Sequence, residues 1–399
     1  MRYETRDIVS PKGLIFMTTI YLIRHAEAEG NLYRRIHGQY DSLVTDNGYS
    51  QIAALQARFA DIHVDAVYAS DRFRTVTTAG AVSKPRGLQV RTDPALREIN
   101  MGDWEDTTWG YQGYFAGDEL GQFNRLVPDW KAPGGESRVE LGQRVYAAIR
   151  RIAAAHPDQT IAVVSHGTAI QQFSVTVRQL PPERWNESPH TDNTSVSCFT
   201  FDGEKFAMLY EGDNSHLSEE NSTLAHQNWW KGLESERDIN LWFRPIDWAT
   251  ERDLYIAARS DAWHNTHVDG PAFDPHGFLK DAEEHLAQSP WAVAMAFDRD
   301  EWVGIVQMDA QRYSDENAGY IPFCYIDYQR RDQHLGIQLI GQAVSYFRPM
   351  GRDKLRLRCA PYNEHAQHFY RKHGFVKVGE EQGSRVPLDI LEKYIGYGK

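Results

Sequence analysis

Ile20-Tyr21-Leu22-Ile23-Arg24-His25-Ala26-Glu27 runs an apolar strand straight into an arginine and a histidine. The strand, Thr18–Ile23, has the composition of a buried element, and in open α/β sheets ligands collect at the carboxyl ends of such strands. A histidine beside a fixed cation is poorly placed to hold a metal ion and well placed to attack an anion. The stretch therefore predicts that His25 takes a phosphoryl group.

Outward from this strand, helical and extended patterns alternate. Ile52, Leu55, Phe59 and Ile62 share a helical face after the turn Thr45-Asp46-Asn47-Gly48. Ala66–Ser70 reads as a short strand followed by a helix from about residue 71 to 82. Ser137-Arg138-Val139-Glu140 is a capping box, continued by the stripe Leu141, Val145, Ile149 and Ile152. Thr160–Ser165 is a third strand. Such alternation predicts a sheet layered between helices. Between Trp104 and Pro133 the pattern breaks into aromatics among Gly and Asp, which fits a surface excursion with its own small core or a lid that shapes substrate choice.

The polar stretch 217–237, with Trp229-Trp230 inside it, reads as a linker carrying a docking helix. A second domain then opens with a strand at Asn240–Arg244, a hairpin at Trp291–Phe297 and Glu301–Met308, strands at Tyr320–Ile326 and Lys354–Arg358, and helices near 334–347 and 363–373. The expected organisation is an N-terminal extension (1–17), a first domain (18–217), a linker (218–238) and a second domain (239–399). Met17, just before the first strand, marks residues 1–16 as a start-site extension or a loose tail.

At 399 residues the chain exceeds one ordinary core, and its 41% hydrophobic content suffices for globular packing. A formal charge of −12 argues against nucleic acid or an anionic membrane as partner. A local cationic pocket in such a chain points instead to a small anionic substrate, which the phosphoryl reading of His25 makes a small phosphorylated metabolite. Cys198, Cys324 and Cys359 are too few and too scattered for a disulfide framework, and the expected setting is the reducing cytoplasm. No apolar run reaches membrane-spanning length.

Four further segments follow the first in order. Val67 to Arg74 passes from strand to helix, Leu96 to Glu105 presents Glu98 in a loop, Pro133-Gly134-Gly135-Glu136-Ser137 is a Gly-rich turn, and Val163-Val164-Ser165-His166-Gly167 puts a histidine where a strand meets a helix. This set resembles the histidine phosphatase superfamily, with its phosphoglycerate mutase-like fold, over residues 18–217. The resemblance places the family's Arg-His-Gly-Glu motif on Arg24 to Glu27, its asparagine on Asn31, its second arginine on Arg74, its proton donor on Glu98 and its second histidine on His166. Asn193-Thr194-Ser195-Val196 and Ser215-His216-Leu217 correspond to its closing segment. It implies attack on phosphorus by neutral His25, charge stabilisation by Arg24, Arg74 and His166, and protonation of the leaving alkoxide by Glu98, which needs a raised pKa for that task. Water then hydrolyses phospho-His25 with Glu98 as base, and no metal is required. Ala26 replaces the family glycine and so needs an ordinary backbone conformation there; Ala28 replaces a common Thr or Ser and removes a hydroxyl. Arg72 points away from Arg74 on a helix, and His264 and His267 are expected to be loop histidines without a third metal ligand.

In the second domain, Arg331-Asp332-Gln333-His334-Leu335-Gly336 precedes a helix, and Asn363 to Tyr370 and Lys372-His373-Gly374-Phe375 follow. These resemble the GCN5-related N-acetyltransferases over about residues 240–380. The resemblance implies an α+β acyl-CoA N-acyltransferase-like fold after the α/β three-layer phosphatase domain, and acetyl-CoA as cofactor. Arg331, His334, Leu335 and Gly336 would form the pyrophosphate loop. Asn363 matches the late-helix asparagine, Tyr370 would protonate the departing thiolate, and strand Tyr320–Ile326 would align the thioester arm. His334 stands where the first loop glycine belongs. Asp327 is the only residue named for the base of the small amine acceptor. The leading expectation is a phosphomonoester hydrolase with an acetylating second domain. The alternatives are a phosphoglycerate-type mutase, and a phosphatase whose second domain senses acyl-CoA without catalysis.

Overall fold

The computed structural model describes residues 17–231, 238–266, 272–383 and 386–398. The expected extension (1–16) and His267 lie outside the described residues. Two compact units emerge: one takes residues up to Glu27, Asn47–Glu105 and Gly121–His226, the other Ala28–Asp46, Asp106–Leu120 and the chain from Gln227. Neither is a contiguous stretch of sequence.

The first unit is built on strands β1 (Thr18–Arg24), β2 (Ala66–Ala69), β3 (Val90–Thr92), β4 (Thr160–Ser165), β5 (Val196–Phe201) and β6 (Phe206–Asp213), in the order β3-β2-β4-β1-β5-β6. β1 runs parallel to β4, with Ile23 opposite Val164 and Arg24 opposite Ser165. The two strands therefore end together, and the residues that follow them, His25 and His166, leave the sheet side by side. Ile20, Leu22 and Ile23 on β1 and Ile161 to Val164 on β4 are fully buried, as a central parallel pair covered on both faces requires.

The fold is the three-layer arrangement of the phosphoglycerate mutase-like proteins. Helices α2 (Asp46–Arg58) and α3 (Phe73–Ser83) supply Leu55, Ala79, Ala81 and Val82 to a core shared with Ile23, Val67, Ala162 and Val164. Helices α6 (Arg138–Ala154) and α7 (Gly167–Val177) pack together. Their aromatics Tyr146 and Phe173 meet Phe199 and Phe206 of the antiparallel strands β5 and β6. The capping box at the start of α6 forms as read, with Ser137 Oγ accepting from Glu140 N–H at 3.2 Å and Glu140 accepting from Ser137 N–H at 2.7 Å. Within 104–133, Trp104, Trp130 and Phe123 form an aromatic cluster at centroid spacings of 5.1 and 5.5 Å.

The second unit carries β7 (Trp242–Pro245), β8 (Val293–Asp298), β9 (Glu301–Asp309), β10 (Ala318–Ile326), β11 (Lys354–Cys359), β12 (Val376–Gln382) and β13 (Pro387–Tyr394), in the order β12-β13-β11-β10-β9-β8-β7. β10 and β11 are the parallel pair, joined only from Ala318–Lys354 to Ile321–Leu357. Beyond that point β10 stays with β9 to Ile326 and β11 with β13 to Cys359, so the two strands part. The helices of this unit's C-terminal part are α8 (Trp248–Thr266), α9 (His276–Gln288), α10 (Gly336–Phe347) and α11 (Glu364–Lys372), of which α10 packs on β9, β10 and β11. The mixed sheet and its helices form the acyl-CoA N-acyltransferase fold. The docking helix expected at Trp229-Trp230 is a single 3₁₀ turn, Trp229–Lys231.

The early segments complete this unit. From α1 (Glu29–Tyr33), Tyr33 enters the core formed with Leu339, Ile340 and Val344 of α10. A side chain at Gly341 would meet Tyr33 Cβ at 2.5 Å, so glycine is what lets α1 and α10 approach. Buried Glu29 pairs at 2.9 Å with Arg348, whose side chain is 8% exposed. Arg35 reaches Asp106 and Ser345, both at 2.8 Å, and Gln342 at 3.1 Å. From α4 (Trp109–Phe115), Tyr114 stacks on Trp242, which stacks in turn on Phe297. The last helix, α5 (Gly117–Asn124), follows directly. Among the described residues no helix is long and apolar enough to cross a membrane. Nor do three or more His, Cys, Asp or Glu side chains gather there as for a metal ion. His264 directs Nδ1 to the Ser260 carbonyl at 2.7 Å.

Candidate active site

His25 and His166 face each other at the ends of β1 and β4, ring centroids 5.2 Å apart. Both are buried, and their partners set opposite tautomers. His25 Nδ1 lies 2.7 Å from the Ala26 carbonyl, which only accepts, so Nδ1 carries the proton and the lone pair falls on Nε2. Arg74 donates to His166 Nδ1 at 3.2 Å, so His166 carries its proton on Nε2. That buried Nε2 has no hydrogen-bond partner. Burial, then Arg74 and His25, hold the His166 pKa well below the usual histidine range, so its imidazole is neutral.

The backbone around His25 is clamped from several sides. Its N–H donates to the Ser165 carbonyl at 3.0 Å, and its carbonyl accepts from Asn193 Nδ2 at 2.9 Å and from Thr194 N–H at 3.3 Å. Thr194 has a φ of 59°, a left-handed conformation uncommon for a β-branched residue. Strain of this kind persists where surrounding structure enforces it. His216, whose pKa burial and then Arg58 push down to about 4, lies 3.1 Å from Thr194 Oγ1. Ala26 is outside the left-handed region, so alanine serves where the family has glycine. Its N–H donates to Thr78 Oγ1 at 2.9 Å. Glu27 accepts from Asn47 at 3.0 Å and Thr223 at 2.9 Å.

Arg24 donates to the Thr191 carbonyl, and its buried Nε has no partner. Desolvation by burial lowers its pKa, partly offset by Asp192 and Glu98. Glu98 lies across the start of α7, accepting from Thr168 N–H at 2.9 Å and Ala169 N–H at 3.0 Å. Since His166 is the residue that begins this helix, Glu98 is held within one turn of the histidine pair. The Glu98 loop is itself fixed by Arg144, which donates to the carbonyls of Ala95 (3.0 Å), Arg97 (3.1 Å) and Glu98 (3.2 Å) and pairs with Glu136 at 2.5 Å. The Gly-rich turn lets this happen: a Cβ on Gly135 would lie 2.5 Å from the Asn100 carbonyl, and one on Gly102, at φ +50°, 2.1 Å from that of Pro133.

Arg24, His25, Arg74, Glu98 and His166 thus come together in the first unit. Asn31 belongs to the second, where its side-chain oxygen accepts from Ala28 N–H at 3.1 Å. Sequence reasoning passed over Arg138, His190 and Arg144. Arg138 is 4% exposed, and burial lowers its pKa to about 10 against the pull of Glu98. His190 is lowered by burial, then by Arg24 and Arg138.

In the second unit, the loop before α10 turns through left-handed residues Asp332 (φ 62°) and His334 (φ 58°). His334 thus adopts the backbone its glycine counterpart would supply, at a cost of about 1 kcal/mol or more. Leu335 is buried, and α10 begins at Gly336, where a Cβ would sit 3.2 Å from the Phe369 ring. Arg331 pairs with Asp261 at 2.5 Å, beside Tyr325, which donates to the same carboxylate oxygen at 2.9 Å. Asn363 caps α11, accepting from Ala366 N–H at 3.1 Å. Tyr370 packs against the core beside Cys324 and Cys359, and burial, then the two thiols, raise its pKa well above the usual tyrosine value. Asp327 caps a 3₁₀ turn, accepting from Gln329 N–H at 3.1 Å.

A three-layer α/β domain with two histidines at adjacent parallel strand ends, beside buried arginines and an anchored carboxylate, fits the histidine phosphatase class of proteins. The chain belongs to the histidine phosphatase superfamily (branch 1), whose profile matches residues 20–214, and it carries an acetyltransferase (GNAT) family domain matching residues 248–375. It is 35% identical to the "Probable phosphoglycerate mutase GpmB" of Proteus mirabilis, over 51% of this chain and 96% of that protein. It is 34% identical to phosphoglycerate mutase-like protein 4 of Arabidopsis thaliana, over 50% of this chain and 87% of that one. Among solved structures, YhfR of Bacillus stearothermophilus is 31% identical with a TM-score of 0.48, covering 50% of this chain and 100% of that one. Both families consist of enzymes, and GNAT domains use acetyl-CoA.

Proposed function

We propose that residues 18–217 hydrolyse a phosphomonoester through a phosphohistidine on His25. His25 Nε2 attacks phosphorus and the bond from phosphorus to the alcohol oxygen breaks. Glu98 gives a proton to the departing alkoxide. A water then attacks the phosphoryl group, Glu98 takes up its proton, and phosphate leaves with His25 regenerated. Arg24, Arg74 and the His166 Nε2–H donate to the phosphoryl oxygens throughout. The observation that carries this reading is the pair of opposed tautomers: His25 presents a lone pair and His166 a proton, within one small cluster. The test is a phosphatase screen over sugar, nucleotide, glycerate and amino-acid phosphates. Activity should disappear in His25→Ala; undiminished activity there refutes the mechanism. The names of the relatives favour a second reading, return of the phosphoryl group to substrate. It prevails if phosphoglycerate isomers interconvert faster than phosphate is released.

We further propose that the second domain binds acetyl-CoA and acetylates a small amine, in a cytoplasmic protein. The left-handed turn at His334 and the parting of β10 from β11 support a fit for the cofactor, with the 332–337 backbone holding the pyrophosphate. When bound, acetyl-CoA supplies an activated acetyl group. Tyr370 holds a proton on Oη, and its raised pKa keeps it there at neutral pH. Calorimetry with acetyl-CoA, then a thiol-release assay over an amine panel, tests this. Binding without turnover would instead assign the domain to acyl-CoA sensing.

A further inference from the structure

Arg138 is a buried cation without an ion-pair partner among the described residues, Glu98 acting on it only from beyond contact. It is 4% exposed, and among the described residues it has no carboxylate within 4.0 Å. Its contacts are neutral and long: Gln171 Oε1 at 3.2 Å and the Phe123 carbonyl at 3.4 Å, with the guanidinium 4.8 Å from the Phe123 ring centroid. Its Nε is buried with no hydrogen-bond partner. Arg138 is also the first residue of α6, where the helix dipole disfavours a cation. Burial of a guanidinium with no ion-pair partner at a positive helix end costs stability; Glu98 offsets this only in part, and a bound anion offsets it further.

Its position says which anion. Gln171 stands on α7 one turn beyond Thr168 and Ala169, the residues that hold Glu98. The other end of Gln171 donates to the Ser188 carbonyl at 3.2 Å, and Arg24 donates to that of Thr191. His190 lies between these two anchored residues. Arg138 therefore stands near Glu98, the group proposed to protonate the leaving oxygen, and His190 near Arg138 and Arg24, whereas Arg74 touches His166.

We propose that Arg138, with His190 beside it, forms a subsite for a second acidic group carried by the leaving alcohol, so that the substrate is a phosphomonoester of an acidic alcohol. This rests on the hydrolase reading above. It assigns substrate choice to a residue outside every motif that carries the family resemblance.

The experiment compares the full-length protein and Arg138→Met on two esters that differ only in a carboxylate, glycerol 3-phosphate and 3-phosphoglycerate, with thermal melts confirming the fold. The native protein should favour the acidic ester at least tenfold in kcat/KM. Arg138→Met should remove that preference mainly through KM, and leave the neutral ester within about threefold. Equal losses on both esters, or no native preference, overturn the subsite. A second measurement is independent of turnover: calorimetry of 3-phosphoglycerate and of glycerol 3-phosphate with His25→Ala, in the presence and absence of Arg138→Met. A preference for the acid that vanishes with Arg138 upholds the subsite even if no ester is hydrolysed, an outcome that would sink the hydrolase reading alone. Equal affinities with Arg138 intact overturn it.

Discussion

Replacing Arg144 by Met should separate the positioning of Glu98 from the binding of the phosphoryl group. Arg144 touches neither histidine; it holds three carbonyls of the Glu98 loop, at Ala95, Arg97 and Glu98, and pairs with Glu136. Hydrogen bonds to a charged donor contribute about 1.5–3 kcal/mol each, non-additively. Arg144 keeps 25% of its side-chain surface exposed, so solvent takes over part of the loss, and about 2–4 kcal/mol of stability should go. Glu136 is left without its cation, but still accepts from Asn100 N–H at 2.8 Å. The Glu98 carboxylate keeps its bonds to α7 while its main chain loosens, and a displacement of about 1 Å in a catalytic group costs roughly 10²-fold in rate. The expected outcome is a kcat lower by about 10²-fold on the best ester, with KM changed less than threefold, because Arg24, Arg74 and His166 are untouched. The double variant Arg144→Met/Glu136→Leu should recover part of the stability by removing the stranded carboxylate, but none of the rate. Steady-state kinetics and urea denaturation of the three proteins decide. An unchanged kcat, or a rate that recovers together with stability in the double variant, refutes the positioning argument.

Gly341→Ala should destabilise by about 1–2 kcal/mol, overpacking against Tyr33 outweighing the helix-propensity gain. Gly80→Ala in α3, whose Cβ would meet only the flexible end of Lys84, should be neutral or stabilising by up to about 1 kcal/mol; denaturant midpoints compare the two. The depressed pKa values of His166 and His216 stabilise the fold fully above the unfolded-state histidine value of about 6.5, and that stability is lost as pH falls below it. His216, at about 4, contributes part of this loss, reduced by its partial exposure to solvent. Melting temperature against pH should therefore slope upward from 4 to 6.5, less steeply in His216→Gln, and a flat native profile would contradict the assignment. His334→Gly should keep acetyl-CoA affinity within about threefold, whereas His334→Val, β-branched at φ 58°, should lose at least tenfold by calorimetry.

The strand-end placement of His25 and His166 was legible because it depends on local pattern alone: an apolar run fixes a buried strand, and the residue after it has to leave the sheet. Arg138 was not, since it reads as the exposed first turn of a helix within a capping box; its burial comes from Phe123 and Gln171, which local pattern does not bring near. The one available hint was its sign, a cation where a helix prefers an anion. Helix α8 was passed over because apolar residues such as Tyr255 and Ala258 are interspersed with charge rather than striped, and β12 because Val376 and Val378 alternate with charge on an exposed edge. The residue expected to disturb the pyrophosphate loop, His334, shows the converse: it takes a left-handed turn, directly before buried Leu335, that the residue type alone would not predict.

The interleaving of the two units has a physical cause that no boundary drawn on the sequence contains. Residues 28–46 and 106–120 both lie far upstream of the linker, yet they belong to the second unit. Tyr33 occupies the groove left by Gly341, and buried Glu29 neutralises Arg348. A buried guanidinium stripped of its partner costs about 3–5 kcal/mol, comparable with the whole stability of a small domain. A chain cut at the linker would therefore remove from the acetyltransferase unit an aromatic core residue, a buried counter-ion and the Tyr114 face of the Trp242 stack together. The segments concerned begin immediately after Glu27 and Glu105, at the ends of the loops that carry His25 and Glu98.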